Sequence, residues 1–170
     1  ARYGIVAPTD VYPLYENACR ARWGQTLAEA QTESAEIWAG MSRVAAANAH
    51  AWLRNAVSAK EIAAISANNR PIAFPYTKLT VANASVNQGA AFIVTSLARA
   101  KAAGVAETRL VYVGRGAAAR EPGDVLARDR LDRSLSLEAS LRGALALNGI
   151  GSGDLDLVEL YSCFPVMPKL

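Results

Sequence analysis

The residues whose side chains are best suited to chemistry lie near the C-terminal end of the sequence, in the run Tyr161-Ser162-Cys163-Phe164. They follow residues 155–160, an apolar stretch that predicts a buried β-strand. In α/β proteins a buried strand commonly delivers functional side chains from its end. A phenol and a thiol at that place could hydrogen-bond to a ligand. Tyr161 and Cys163 are therefore candidate site residues.

A second candidate is the polar stretch from Asn83 to Gln88, which precedes Gly89. Its members with amide or hydroxyl side chains are Asn83, Ser85, Asn87 and Gln88. Such a loop can offer hydrogen bonds to a ligand at the edge of a sheet. The alternative is an ordinary turn in which Asn and Ser side chains bond to their own backbone. Composition alone favours the turn.

The elements that must position these residues alternate in type over the second half of the chain. Apolar runs predict strands at residues 90–95, 109–113 and 155–160. Helices are predicted between them, one over residues 97–103 and one that carries Leu137, Leu141 and Leu145 on one face. This order is typical of a βαβ arrangement with some parallel pairing. The predicted fold class is therefore α/β.

The first half is predicted to be helical. Asp10 is placed as the cap of a first helix with Pro13 in its first turn, and Gly24 as its stop. Two capping boxes, Thr26 to Glu29 and Ser58 to Glu61, each predict the start of a further helix. Pro71 and Pro75 then predict an extended connector.

Composition excludes several classes of function. The 18 basic and 15 acidic residues give a net charge of +3 and are scattered, so no nucleic-acid-binding stripe is predicted. No apolar run approaches the ~18 residues of a membrane span. The two cysteines, Cys19 and Cys163, suit neither a metal site nor a disulfide framework. A cytoplasmic protein without a bound metal is therefore expected.

Two spaced motifs resemble the middle of a thiolase. The first is Asn83-Ala84-Ser85 followed by Gln88-Gly89-Ala90-Ala91, and the second is Gly153-Asp154-Leu155-Asp156-Leu157-Val158-Glu159. In thiolases the second motif ends in Asn-Glu-Ala-Phe, or in His-Asp-Cys-Phe in the sterol-carrier-protein branch. Here it ends in Tyr161-Ser162-Cys163-Phe164. The resemblance covers essentially the whole chain. Within the superfamily, the sequence resembles the sterol-carrier-protein branch or a thiolase-like relative.

The resemblance implies an α/β fold of the thiolase-like layered αβαβα type, of which this chain is an incomplete part. Residues 1–82 are then the helical loop region over the coenzyme A site. Residues 83–170 are the end of the first thiolase half and the start of the second. The resemblance also implies a homodimer of the full-length protein, with an accessory protein as a possible partner.

The implied activity is that of an acetyl-CoA acetyltransferase-like enzyme of lipid metabolism, with coenzyme A as a substrate and no tightly bound cofactor. Ser85 and Asn83 are then expected beside the pantetheine arm of coenzyme A, and Cys163 along the pocket. The nucleophilic cysteine, the Gly-His-Pro histidine and the second cysteine of thiolases have no counterparts here. Neither Cys19 nor Cys163 occupies a matching position, so the isolated chain is expected to be inactive.

Tyr161 stands where thiolases have an Asn or His of the oxyanion hole. A phenol can still donate a hydrogen bond, although it is longer and has an unperturbed pKa of about 10. Three interpretations stay open. The full protein is an acyltransferase, a thiolase-like carbon–carbon lyase of the aldolase type that uses Tyr161, or a non-catalytic acyl-CoA-binding or scaffold protein.

Overall fold

The computed structural model describes residues 3–83 and 85–170. Six α-helices and one two-stranded antiparallel hairpin, β1 and β2, make up the regular structure of these residues. In chain order the elements are α1 (Pro8–Arg22), α2 (Leu27–Ala47), α3 (Ala59–Ala63), β1 (Pro71–Ala73), β2 (Tyr76–Thr77), α4 (Leu97–Ala102), α5 (Leu135–Asn148) and α6 (Val166–Lys169). Short 3-10 turns cover Lys78–Thr80, Glu107–Arg109, Val125–Ala127 and Ser152–Asp154.

Local side-chain bonds explain where α2 and α3 begin. Thr26 accepts a hydrogen bond from the N–H of Glu29, and the Glu29 carboxylate accepts from the N–H of Thr26 at 2.7 Å. Ser58 and Glu61 repeat this reciprocal pair at the start of α3. Both predicted capping boxes are therefore confirmed. They satisfy backbone donors that a helix N-terminus otherwise leaves unpaired.

The first helix begins earlier than predicted. Its N-cap is Ala7, and Asp10 lies in the first turn, where its carboxylate accepts from the N–H groups of Val6 and Ala7. Pro13 is consequently inside the helix rather than in its first turn. The expected stop is confirmed, because Gly24 has a positive φ of 68°, a conformation that glycine adopts without steric penalty.

The predictions of paired strands at residues 90–95, 109–113 and 155–160 were wrong for the described residues, which contain only the hairpin of β1 and β2. The apolar side chains in these runs are largely exposed, with Ile93 at 91%, Val111 at 90% and Leu157 at 93%. The physical reason is that a β-strand forms only when its backbone pairs with a second strand. An apolar composition indicates that a segment tends to be buried, but it does not identify a pairing strand. The intervening helices α4 and α5 are confirmed.

Two buried clusters organise the described residues. The first, called here the Phe164 cluster, consists of Cys19, Tyr76, Phe164 and Val166 and therefore joins α1, β2 and the C-terminal segment. The second packs Ala35 and Ala39 of α2 against Ile62 of α3. None of the helices in residues 3–83 and 85–170 has the length and apolarity needed to cross a membrane.

Candidate functional site

One backbone hydrogen bond brings the two predicted motifs together. The N–H of Ala82 donates to the carbonyl of Cys163 at 3.0 Å. Val81, the residue before it, packs against the Phe164 cluster. The polar loop that begins at Asn83 and the turn that contains Tyr161 are therefore neighbours, although almost half of the chain separates them in sequence.

The Asn83 loop uses one of its polar groups internally. Asn83 Oδ1 accepts a hydrogen bond from the N–H of Ser85 at 3.0 Å, which is an Asx turn. Such a bond is what the alternative interpretation of this stretch, an ordinary turn, predicts. Both residues are exposed, and the Ser85 hydroxyl has no hydrogen-bond partner within residues 3–83 and 85–170. The hydroxyl is therefore free to meet a ligand, while Asn83 shapes the loop. Ala84 lies outside the described residues.

A second contact holds the same loop at its other end. Gln88 Nε2 donates to the backbone carbonyl of His50 at 3.1 Å. His50 contributes its main chain here, and its own N–H donates to Asn48 Oδ1 at 2.9 Å. The bond therefore ties the end of the loop to the segment after α2. Neither of these bonds involves the imidazole of His50.

The turn at Tyr161 is anchored by Phe164. Phe164 is 4% exposed, and its ring stacks on Tyr12 of α1 with centroids 4.2 Å apart and planes inclined by 13°. Its other neighbour is Tyr76 of β2, with centroids 5.2 Å apart. Ser162 Oγ donates to the carbonyl of Leu160 at 2.6 Å and closes the turn locally. These contacts fix the backbone from which Tyr161 and Cys163 project.

The Tyr161 ring is 66% exposed, so its phenol faces the space outside the turn. Hydrogen bonding with the Cys163 side chain raises the pKa of Tyr161, and the charge of a Cys163 thiolate adds to the effect. A hydrogen bond with Tyr12 acts in the opposite direction on the same pKa. The phenol consequently stays protonated at neutral pH and can donate a hydrogen bond to an acceptor on a ligand.

The two thiols have different surroundings. Cys19 is fully buried, and burial raises its pKa to about 11, with Glu16 adding to the rise. Its Sγ lies 3.8 Å from the carbonyl oxygen of Leu131. Cys19 is thus a buried residue of α1. Cys163 is only partly buried, and its place along a pocket stays a prediction.

A buried ionic network beneath the turn escaped sequence analysis. Glu16 is fully buried and accepts hydrogen bonds from the Tyr76 hydroxyl at 2.9 Å and from Lys169 Nζ at 2.6 Å. Lys169 Nζ also donates to Ser34 Oγ at 3.1 Å. The network links α1, α2, β2 and α6. Nothing in the sequence around Glu16 indicated its burial, because its partners Tyr76 and Lys169 lie far away in the chain.

Comparison with solved structures finds a protein of the same fold over almost the whole chain. It is described as a monomeric SCP2-thiolase-like protein type 1 from Mycobacterium smegmatis. The two chains are 39% identical, with a TM-score of 0.86 over 97% of this chain. This chain belongs to the thiolase-like superfamily. The thiolase-like α/β fold class predicted from the two motifs is likewise confirmed.

The match covers 36% of the length of the solved thiolase-like chain. No protein-family model matches the sequence, and no curated protein matches it. The comparison therefore shows the superfamily and the fold. The assignments of Tyr161, Cys163, Asn83 and Ser85 to a site stay predictions.

Proposed function

We propose that this thiolase-like chain forms part of an acyltransferase that handles acyl-CoA thioesters. The Asn83 loop would contact the pantetheine arm, and Tyr161 would face the thioester carbonyl. The observation that carries the proposal is the bond between the Ala82 N–H and the Cys163 carbonyl. Because of it, the two segments that resemble thiolase ligand-binding motifs form one surface rather than two.

The protonated Tyr161 phenol supports a particular role. A thioester carbonyl gains negative charge when it is attacked, and a preorganised donor aimed at that oxygen stabilises the transition state. A phenol that keeps its proton at neutral pH can act as such a donor. It suits a general base less well, because a base must lose its proton near the working pH. The observation therefore favours acyl transfer over a lyase reaction in which Tyr161 accepts a proton.

Chemistry on the thioester requires groups that this chain does not supply. Thiolases use a nucleophilic cysteine, a Gly-His-Pro histidine and a second cysteine, and Cys19 is too deeply buried to replace any of them. We accordingly expect the chain alone to bind thioesters without cleaving them. A longer polypeptide that supplies these groups is expected to exchange acyl groups with coenzyme A in the cytoplasm, as an acetyl-CoA acetyltransferase of lipid metabolism would.

The expected homodimer gains no support from the comparison, because the solved relative is described as monomeric. An acyl-CoA molecule is the partner that the site residues predict.

Calorimetric titration with acetoacetyl-CoA and, separately, with free coenzyme A tests the proposal. Tyr161→Phe removes the donor that faces the thioester, so it should weaken acetoacetyl-CoA binding and leave coenzyme A binding unchanged. Ser85→Ala should weaken both ligands, because the pantetheine arm is common to them. Tyr112→Phe is the matched control, since Tyr112 is a similarly exposed tyrosine, at 64%, that bonds to Glu107 instead.

Two results would contradict the proposal. One is a folded chain that binds neither ligand. The other is a Tyr161→Phe variant that binds acetoacetyl-CoA as tightly as the unmodified chain. Thiolysis of acetoacetyl-CoA by the isolated chain would refute the separate expectation that it is inactive.

A further inference from the structure

The apolar runs at residues 90–95, 109–113 and 155–160, called here the three apolar segments, are not buried by the rest of the chain. Ile93 and Leu157 are 91% and 93% exposed, and each lies among further exposed apolar residues. Soluble proteins rarely expose so much apolar surface unless a partner covers it. The three apolar segments are therefore a candidate interaction surface.

The backbone of these segments is also without a partner. No N–H or C=O group of residues 90–95, 111–113 or 156–159 hydrogen-bonds to another residue in the described part of the chain. Leu110 and Leu155, at the start of two of the segments, have extended dihedral angles. An extended backbone with free donors and acceptors is a template for pairing with a further strand.

At least one segment needs cover on both of its faces. Consecutive residues of an extended chain point to opposite faces. Phe92, Ile93 and Val94 are consecutive, and they are exposed at 88%, 91% and 79%. Residues 90–95 contain no charged side chain that would favour contact with water. The segment therefore has the composition of a central strand, which is buried on both faces in a layered α/β fold.

We propose that the three apolar segments bind, by β-strand pairing, a polypeptide that supplies the remaining part of a thiolase-like fold. The solved relative matches 97% of this chain, yet the match takes up only 36% of the solved chain. The fold that contains these segments thus has further chain with which to pair their edges and cover both faces. The inference rests on the superfamily and on the exposed segments, and it does not depend on the binding of a thioester.

A second copy of this chain fits the surface less well. Two copies that packed their segments face to face would bury one face of each and leave the other in water. Two copies that paired edge to edge would leave both faces in water. The exposure of Phe92, Ile93 and Val94 on both faces therefore favours a partner that contributes more than one layer.

Co-expression with parts of the solved relative tests the proposal. The probe consists of the parts of the Mycobacterium smegmatis protein that lie outside the match, produced together with the full 170-residue chain and purified through a tag on that chain. Size-exclusion chromatography with light scattering should give a complex that contains one copy of this chain and one copy of each added part.

Hydrogen exchange followed by mass spectrometry then reports on the pairing. In the chain alone the amides of residues 91–95, 111–113 and 156–159 should exchange freely, because none of them is hydrogen-bonded within the described part of the chain. In the complex they should exchange at least about a hundredfold more slowly, since the amides of paired core strands open only with a large part of the fold.

A matched pair of variants locates the surface. Ile93→Lys and Val44→Lys each place a charge at an exposed apolar position, but Val44, at 72% exposure, lies on α2 and outside the three apolar segments. Both variants should leave the urea midpoint of the chain alone unchanged, because neither side chain is buried there. Ile93→Lys should weaken the complex by at least about tenfold, since pairing would bury an unpaired charge. Val44→Lys should assemble like the unmodified chain.

Four results would overturn the proposal. They are a chain that stays alone, a chain that associates only with itself, a complex whose segment amides stay unprotected, and an Ile93→Lys variant that assembles as well as Val44→Lys. If the separate parts do not stay soluble, a chimera decides, in which this chain replaces the matched part of the relative. Unprotected segment amides in the chimera, or a chimera that does not fold, would overturn the proposal equally. These readouts use no ligand, so a failure to bind acetoacetyl-CoA would overturn the proposed function alone.

Discussion

Replacing Lys169 with methionine is expected to destabilise the fold strongly. Lys169 Nζ donates to Glu16 at 2.6 Å and to Ser34 at 3.1 Å, and it lies 3.8 Å from Glu33. Its side chain is 4% exposed, while that of Glu16 is fully buried. In Lys169→Met the Glu16 carboxylate would keep only the Tyr76 hydroxyl as a donor.

The magnitude follows from the burial of both partners. Removing one member of a buried ion pair leaves an uncompensated charge and typically costs about 3–5 kcal/mol. The free energy of unfolding of a domain is about 5–15 kcal/mol in total. Lys169→Met should therefore remove a large fraction of the stability of this chain. Exposed ion pairs such as the one between Arg142 and Glu138 should contribute far less, about 0–1 kcal/mol.

Urea unfolding followed by tryptophan fluorescence measures this loss. Lys169 Nζ lies 5.8 Å from the ring centroid of Trp23, so the signal reports directly on the region. The control is Lys101→Met, which removes an exposed lysine of α4 and should change the free energy of unfolding by less than about 0.5 kcal/mol.

The double variant Glu16→Gln/Lys169→Met sharpens the test. It removes both charges and leaves an amide oxygen that can still accept from Tyr76. It should be more stable than Lys169→Met alone, because no unpaired charge is buried. A Lys169→Met variant as stable as the Lys101→Met control would refute the reasoning. A double variant no more stable than Lys169→Met would refute the attribution of the loss to the buried charge.

Three further predictions concern single groups. Ellman's reagent at pH 8 should modify the partly buried Cys163 and spare Cys19, because the pKa of the Cys19 thiol is raised to about 11. Peptide mapping by mass spectrometry checks this, and label should be found on Cys163 alone. Hydrogen bonds from serine side chains are the main cause that lowers the pKa of the Glu121 carboxylate to about 2. The ionised carboxylate therefore stabilises the fold above pH 4.5, and this contribution is lost as the pH falls toward 2. Acid titration of Glu121→Gln should accordingly show less loss of stability over this range. Asn69→Ala should destabilise by about 3 kcal/mol, because the buried Asn69 side chain donates to the carbonyls of Ile62 and Ala64 and accepts from the N–H of Leu79. Asn68→Ala should be nearly neutral in the same urea assay, and equal losses would contradict this.

Sequence reasoning succeeded where structure depends on near neighbours. The pairs Thr26 with Glu29 and Ser58 with Glu61 lie three residues apart, so a helix start follows from their types alone. The stop at Gly24 is equally local, since it needs a residue that accepts a φ of 68°. The superfamily was also predicted, because the two motifs are long and keep their spacing.

Sequence reasoning failed where a partner lies far away in the chain. The apolar run at residues 90–95 predicts burial, but nothing within it says which strand will pair with it. Glu16 and Lys169 are 153 residues apart, so their pairing has no local signal. The position of Tyr161 beside the Asn83 loop was implied only by the resemblance, since no pattern within either segment reveals their contact.

The backbone bond between Ala82 and Cys163 also has a consequence for how the chain folds. Closing so long a loop is entropically unfavourable, and contacts of this range form late in folding. The capped helices can form first, because all their bonds are local. The surface shared by the Asn83 loop and the Tyr161 turn is thus expected to appear in the last folding step, after the C-terminal turn has joined α1.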